Sequence, residues 1–298
     1  MQSPFGNIFQ LFERFDSWTD RIRKSGFAIY GLIFTLIVIL FILGLFAYIT
    51  FVGLPRLDVG FFTAYASSTP EKAGILPAFL GTLWVMGVVL LISFPIGVAA
   101  GIYLELYQKP GRWSSLLEIN ITNLAGIPSV IYGLLGLQFF VRQMALGESI
   151  LAASLTLSLL ILPLVIVSTR EALRMVPLAI TEAAYALGAT RLQVIWFQVL
   201  PLSFPGIISG ALLGVSRAIG EASPLLVLGA VAFVPFNPGS LFDYFTVLPV
   251  QIFFWATKPQ AAFLVNASAA ILVLLVLTLI LNLIAMRLRE RWHKRIEA

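Results

Sequence analysis

Cysteine is absent from this 298-residue chain, histidine occurs once, and only 11% of the residues are charged. The missing thiols exclude disulfide bonds, thiolate metal sites and a cysteine nucleophile, and they leave the compartment undetermined. No Gly-x-x-x-x-Gly-Lys-Ser/Thr phosphate loop occurs, so the chain is not expected to bind ATP by that means. His-Glu-x-x-His and nucleophile-elbow patterns are missing too. The single His293 stands in a basic C-terminal run, where it reads as solvated or lipid-facing rather than catalytic. With no cluster of acid, base and nucleophile, an enzyme reading finds no support.

What the chain has in abundance is apolar surface: 59% of its residues are hydrophobic and its mean hydropathy is +0.98. A soluble globule of this size needs far more polar surface, so the chain belongs in a bilayer. The net charge of +5 does not point to nucleic acid. The basic residues stand at the ends of apolar runs, where positive-inside bias and anionic headgroups account for them.

A hydrocarbon core of about 30 Å needs roughly 20 apolar residues as helix. Six stretches qualify: Phe27 to Val52, Ala78 to Leu104, Ile121 to Val141, Ser149 to Thr169, Phe204 to Val234 and Phe263 to Met286. The fold class expected is therefore all-α integral membrane with six transmembrane helices. Gly126, Pro128, Gly133 and Gly136 interrupt the third span and Pro163 the fourth, which membrane helices tolerate. The first run is longer than a signal h-region and follows a charged leader, so it is expected to be retained as an anchor. The organisation expected is a leader over 1–26, one membrane domain over 27–286 with a polar loop at 171–203, and a basic tail over 287–298. In the leader, Phe5, Ile8, Phe9, Phe12, Phe15 and Ile22 recur near helical spacing. An interfacial amphipathic helix and a frayed tail fit equally.

Counting Lys and Arg sets the orientation. The leader, the loop around Lys109 and Arg112, the segment from Arg170 to Pro201 and the tail hold most of them, while the alternate loops hold only Arg56, Lys72, Arg142 and Lys258. The richer side is expected to be cytoplasmic, with both termini inside. The longest loop on the other side, Pro235 to Ala262, mixes prolines with Phe242, Tyr244, Phe245 and Trp255. It is expected to fold against the outer mouth, although an interfacial aromatic belt explains those rings as well.

Two places carry functional signal. The fifth span holds Arg217 and Glu221, neighbours on one helix face at i,i+4. A charge at the centre of a membrane helix costs roughly 2.5 to 3.5 kcal/mol, so such residues face a bundle interior or a wet path. Mutual neutralisation is the plain reading. A place on a transport path is the functional one, because Arg217 is a forked donor that suits an oxyanion. Around the pair, Gly206, Gly210, Gly214, Ala218 and Ala222 recur every fourth residue, and Gly97 and Gly101 repeat the spacing in the second span. Such stripes let helices approach closely, within the chain or at a dimer seam. Pro224 is expected to kink or break the fifth span. Arg170 and Glu171 end the fourth span, near the path or, for Arg170, snorkelling.

The second place is the loop EAAYALGATRLQVIWFQVLP, Glu182 to Pro201, which reads as helix, turn, helix. Pro177 limits the first helix and Gly188 permits the turn. It resembles the permease subunits of ATP-binding-cassette importers, whose signature is Glu-Ala-Ala, three residues, Gly, nine residues, then Ile-x-Leu-Pro. Glu182, Ala183, Ala184, Gly188, Leu200 and Pro201 fit, and Gln198 stands at the Ile position. Three further segments, AGIPSVIYGLLG from Ala125, SRAIGEASPLL from Ser216 and FTVLPVQIFFW from Phe245, are similar to the permeases of phosphate-specific importers, the last to the A-type subunit.

The resemblance implies a type I importer subunit in a bacterial or archaeal plasma (inner) membrane. It implies a second related permease, two ATP-binding subunits that use ATP and Mg, and an extracytoplasmic phosphate-binding protein, with no cofactor on this chain. By the same resemblance, Arg217 and Glu221 match a charged pair in the membrane core, and Glu182 to Gly188 match the ATPase-contacting coupling helix. A permease for sulfate or molybdate, and a regulatory or scaffold subunit without transport, are the alternatives.

Overall fold

A computed structural model describes the backbone over residues 6–109 and 111–297, and the side chains over 27–109 and 111–292. The chain divides into two compact units, residues 1–51 and 52–298. The described residues of the first belong to one helix, α1 (Gly6–Gly53), of which Val52 and Gly53 are counted with the second unit. Residues 6–26 continue the backbone helix of the first span. The expected amphipathic face of the leader lies outside the described side chains.

In the second unit follow α2 (Val59–Thr63), α3 (Leu76–Ile102), α4 (Arg112–Ala125), α5 (Ser129–Gly136), α6 (Ile150–Arg174), α7 (Leu178–Ala186), α8 (Arg191–Val194), α9 (Leu200–Ile219), α10 (Ser223–Leu228), α11 (Leu248–Ala256) and α12 (Ala262–Glu297). Among the described residues there is no strand, only an isolated bridge between Ser149 and Tyr244. Three helices carry π turns: α3 runs into one at Tyr103–Tyr107, α5 into one at Leu137–Gln143, and another at Ile195–Val199 joins α8 to α9.

Five helical segments are long and apolar enough to cross a membrane: Phe27–Arg56, Leu76–Tyr107, Ile150–Arg174, Arg191–Ile219 and Ala262–Trp292. Two of the expected spans need correction. The third is a broken pair, Arg112–Ala125 and Ser129–Gln143, bent by 100°. Pro128 lacks the N–H that would continue the ladder, and it opens α5 instead. The fifth begins earlier than expected, at Arg191, and its helix stops at Ile219, with Gly220 as C-cap. Pro224 then sits in the first turn of α10, so the run to Val234 is not one helix.

The core is built on α6, between α3 and α9. A Cβ on Gly97 would lie 2.6 Å from Val165, and one on Gly101 would lie 2.7 Å from Thr169. On the other side, a Cβ on Gly206 would meet Ala172 at 2.7 Å, and one on Gly210 would overlap Ser168. Both glycine stripes therefore serve packing within the chain, which resolves the choice between intrachain contact and a dimer seam. In lipid, where no hydrophobic driving force pushes helices together, this close approach lets van der Waals contact hold them.

The segment after α10 folds back on the bundle, as expected from its prolines. Gly229, at φ +113°, ends α10 in the left-handed region. Phe245, Leu248 and Trp255 are buried, so they belong to the core rather than to an aromatic belt, while Phe242 and Tyr244 are exposed. At the same end Arg56 donates to Asn266 Oδ1 at 3.1 Å and to the carbonyls of Glu71 and Ala73 at 2.9 Å each, tying the segment after α1 to α12.

Gly210→Ala should destabilise the purified chain by about 1–3 kcal/mol, because the new methyl group meets Ser168. Gly87→Ala, where nothing lies within 4 Å, should leave stability unchanged or raise it. Thermal unfolding of the two variants side by side reads the difference.

Candidate functional site

Arg217 lies in the last turn of α9, and Glu221 lies just beyond the Gly220 C-cap. The two were expected as neighbours on one helix face, with a kink or break at Pro224. The break moves Glu221 off the helix, yet Nε of Arg217 stays 3.6 Å from Oε1 of Glu221. The arginine side chain is 46% exposed and the glutamate 19%. Only part of the guanidinium is therefore engaged, which leaves donors available to a second acceptor.

The two helix breaks meet beside this pair. A Cβ on Gly133 of α5 would lie 2.7 Å from Cα of Pro224 in α10, so the broken third span packs against the broken fifth. At the first break the hydroxyl of buried Tyr132 donates to the carbonyl of Leu124 at 2.8 Å, an oxygen that also accepts the N–H of Ile127 at 3.2 Å, and so ties α5 to the end of α4. Arg217 is thus held where two interrupted helices bring loose backbone together, not in the middle of a regular rod.

The loop from 175 to 200 forms the expected helix, turn, helix. Pro177 caps the N-terminus of α7, and Gly188 makes the turn at φ +83°. Thr190 and Gln193 form a reciprocal capping box that starts α8. Of the motif residues, Glu182 and Ala183 are exposed on α7, and Gly188 is exposed in the turn. Ala184 and Leu200 instead share one apolar cluster with Leu173, Val194 and Val199. Pro201 opens α9. The motif is therefore divided: its apolar members fold the loop back on the bundle, and Glu182 with its neighbours faces outward beside exposed Leu178, Tyr185 and Leu187.

Sequence reasoning missed the charged cluster beneath this loop. Glu105 accepts from Nε of Arg170 at 3.0 Å and from Nε of Arg174 at 2.7 Å, and Arg170 reaches Glu118 at 2.8 Å. Arg170 is paired on two sides, so it does not snorkel. Its network joins α4, α6 and the π turn that ends α3. The available signal was the i,i+4 spacing of Arg170 and Arg174 with a glutamate at the end of the second apolar run. Above the network, Arg191 stacks on Tyr107 at 4.9 Å and donates to the carbonyl of Leu106. Between these groups lies a cavity of about 340 Å³, bordered by Arg174, Thr181, Tyr185 and Arg191.

Arg170→Met should lower stability by roughly 1–3 kcal/mol, since it removes charge-assisted bonds from two carboxylates. Arg170→Lys, which keeps the charge but loses the fork, should cost less. Thermal unfolding of each variant in detergent checks the order.

The comparisons with known proteins agree with this architecture. A family model described as "Binding-protein-dependent transport system inner membrane component" matches residues 93–297. The chain is 29% identical to the probable ABC transporter permease protein YqgI of Bacillus subtilis, over 94% of this chain and 98% of that protein. It is 34% identical to the phosphate transport system permease protein PstA 1 of Mycobacterium tuberculosis, over 74% of this chain and 72% of that one. Among solved structures, a bacterial alginate ABC transporter in complex with its pentasaccharide-bound periplasmic protein superposes with a TM-score of 0.67 at 17% identity. That match covers 92% of this chain and 97% of the other. The inward-facing MetNI methionine ABC transporter gives 0.57 at 18% identity, over 74% and 94% of the two chains. The fold is that of type I importer permeases, and the match over more than half of its length places the chain in the binding-protein-dependent transport system inner membrane component family, as a permease subunit of an ABC importer.

Proposed function

We propose that this permease imports inorganic phosphate, forming half of a translocation path with a second, related permease and docking a separate ATP-binding subunit through α7. The observation that carries the substrate is the 34% identity to a phosphate transport permease over about three quarters of the chain. The partly free guanidinium of Arg217 supports it, because a planar fork of donors suits a tetrahedral oxyanion. Glu221 beside it moderates the field, so an anion is held weakly enough to leave again. Strong capture inside a path would slow release.

Energy then comes from a partner. ATP and Mg are used by two ATP-binding subunits at the cytoplasmic face, and the excess of Lys and Arg on the side of the 175–200 loop supports a cytoplasmic position for that loop. Exposed Glu182 offers a charge to a basic surface, and the small Ala183 beside it allows close approach. Gly188 holds the turn that presents them. A phosphate-binding protein delivers the solute at the opposite face of an inner membrane.

The test is ATP-dependent uptake of labelled phosphate in vesicles holding the chain, its partner permease, the ATP-binding subunits and the binding protein, with sulfate and molybdate as competitors. Uptake that resists both competitors is expected, and uptake of sulfate or molybdate instead would overturn the substrate. Arg217→Gln should lower uptake at least tenfold in a complex that still assembles. Gly188→Val, which forces a β-branched residue to φ +83°, should weaken retention of the ATP-binding subunit, read as its yield on co-purification.

A further inference from the structure

We propose that the cavity beneath the 175–200 loop is a binding site for a phosphoryl anion, supplied by the headgroup of an anionic phospholipid or by free inorganic phosphate. Such a site is independent of the solute that the path carries. The cavity, of about 340 Å³, lies between the π turn that ends α3, the end of α6 and the helices α7 and α8. Part of its lining is apolar: Leu106, Leu173, Val194 and Val199 border it and share one cluster. The basic part is Arg174 and Arg191. Nε of Arg174 donates to Glu105, and Arg191 donates to the carbonyl of the next residue, Leu106, so both guanidinium groups are held at the same end of α3.

The charges around the cavity set the sign of its ligand. Glu105 is the one carboxylate among the described residues that border it, and it accepts from both Arg170 and Arg174. Those two arginines are matched by Glu105 and Glu118. Arg191 meets no carboxylate among the described residues, since its partners are the Leu106 carbonyl and the Tyr107 ring. An uncompensated positive charge therefore remains. Unused donors remain as well: among the described residues, Nη1 of Arg174, Nη1 of Arg191 and the exposed Tyr185 hydroxyl find no acceptor.

The level of the cavity is that of a headgroup. Leu76–Tyr107 and Ile150–Arg174 finish beside it, and Arg191–Ile219 begins there. The ends of membrane-length helices lie where a hydrocarbon core of about 30 Å gives way to the polar layer that brings a bilayer to about 40–45 Å. Basic pockets between membrane helices at this level hold acidic headgroups, and the cytoplasmic leaflet is the anionic one. The excess of Lys and Arg lies on this side of the chain.

A phosphoryl group fits the donors, because it offers several acceptor oxygens at once to the planar forks of two arginines. A lipid also lays its glycerol and the start of its acyl chains on the apolar lining, whereas free phosphate uses the donors alone. Either occupant bridges Arg174, the last residue of α6, and Arg191, the first of α8, and so holds the loop to the bundle.

The test uses the complete transport complex in nanodiscs of phosphatidylcholine. In one arm about a third of the lipid is replaced by phosphatidylglycerol, and in the other inorganic phosphate is added to the buffer. At least one arm is expected to raise the unfolding temperature by about 3 °C. Only this rise is scored, because Arg191→Gln also loses the Leu106 and Tyr107 contacts and so has a lower starting point. Arg191→Gln should lose most of the rise, Arg191→Lys should keep more of it, and Arg287→Gln, at an exposed position of α12, should keep all of it. If Arg191→Gln gives no complex, Tyr185→Phe replaces it and should lose part of the rise. A rise with phosphatidylglycerol assigns the site to lipid, and a rise with phosphate alone assigns it to the free anion. No rise in either arm overturns the proposal, as does a rise equal in wild type and Arg191→Gln or lost equally in Arg287→Gln. If neither arm acts while Arg191→Gln lowers the yield of the ATP-binding subunit on co-purification, the cavity belongs to that interface and the proposal falls.

Discussion

Close approach of α6 to its two neighbours is the constraint on which the second unit depends. Lipid tails are as apolar as leucine, so apolar side chains gain little by leaving lipid for one another, and helices must associate through contact area and hydrogen bonds. Glycines at 97, 101, 206 and 210 remove the side chains that would hold α3 and α9 away from α6. The residues opposite them, Val165, Ser168, Thr169 and Ala172, are small or β-branched and fill the space without a long side chain. Everything placed on these three helices inherits its position from that contact, including Arg217 at one end of α9 and Arg170 near one end of α6.

A second constraint acts where helices stop. Backbone groups released within a membrane need partners, and interrupted helices persist only where protein or a wet cavity receives them. Here the interruptions after Ala125 and after Ile219 lie side by side, with Tyr132 supplying a donor to the carbonyl of Leu124. The same arrangement holds a partly exposed arginine whose glutamate partner sits on the non-helical side of the break. Charge, loose backbone and small residues therefore coincide at one depth.

Much of this was legible in the sequence because membrane helices announce themselves by run length. The runs at 27–52, 78–104 and 263–286 lie within longer helices, and that at 149–169 starts at the N-cap of one, Ile150–Arg174; all four helices continue into polar termini that hydropathy alone leaves out. The third and fifth spans misled for a common reason. Glycine and proline are tolerated in membrane helices, so Gly126–Pro128 and Gly220–Pro224 do not say whether they bend a helix or end it. Tertiary contact decides, as Gly133 against Pro224 illustrates. The helix–turn–helix at 175–200 was readable because Pro177, Gly188 and Thr190 are local signals with local causes. The Glu105–Arg170–Arg174–Glu118 network was not, since its members come from helices far apart in the chain.

The segment from Arg191 to Ile219 has a mechanical meaning. It passes from the Thr190 capping box through a π turn to Arg217 without a break in helical backbone, a rod of 29 residues and about 43 Å. A rod has no slack: tilted about 4° around one end, it carries the other end about 3 Å sideways, enough to separate a hydrogen-bonded pair. Whatever pushes on the turn at Gly188 is thereby transmitted to the level of Arg217 as displacement, with Gly206 and Gly210 of α9 against Ala172 and Ser168 of α6 as the close contact about which the lever turns.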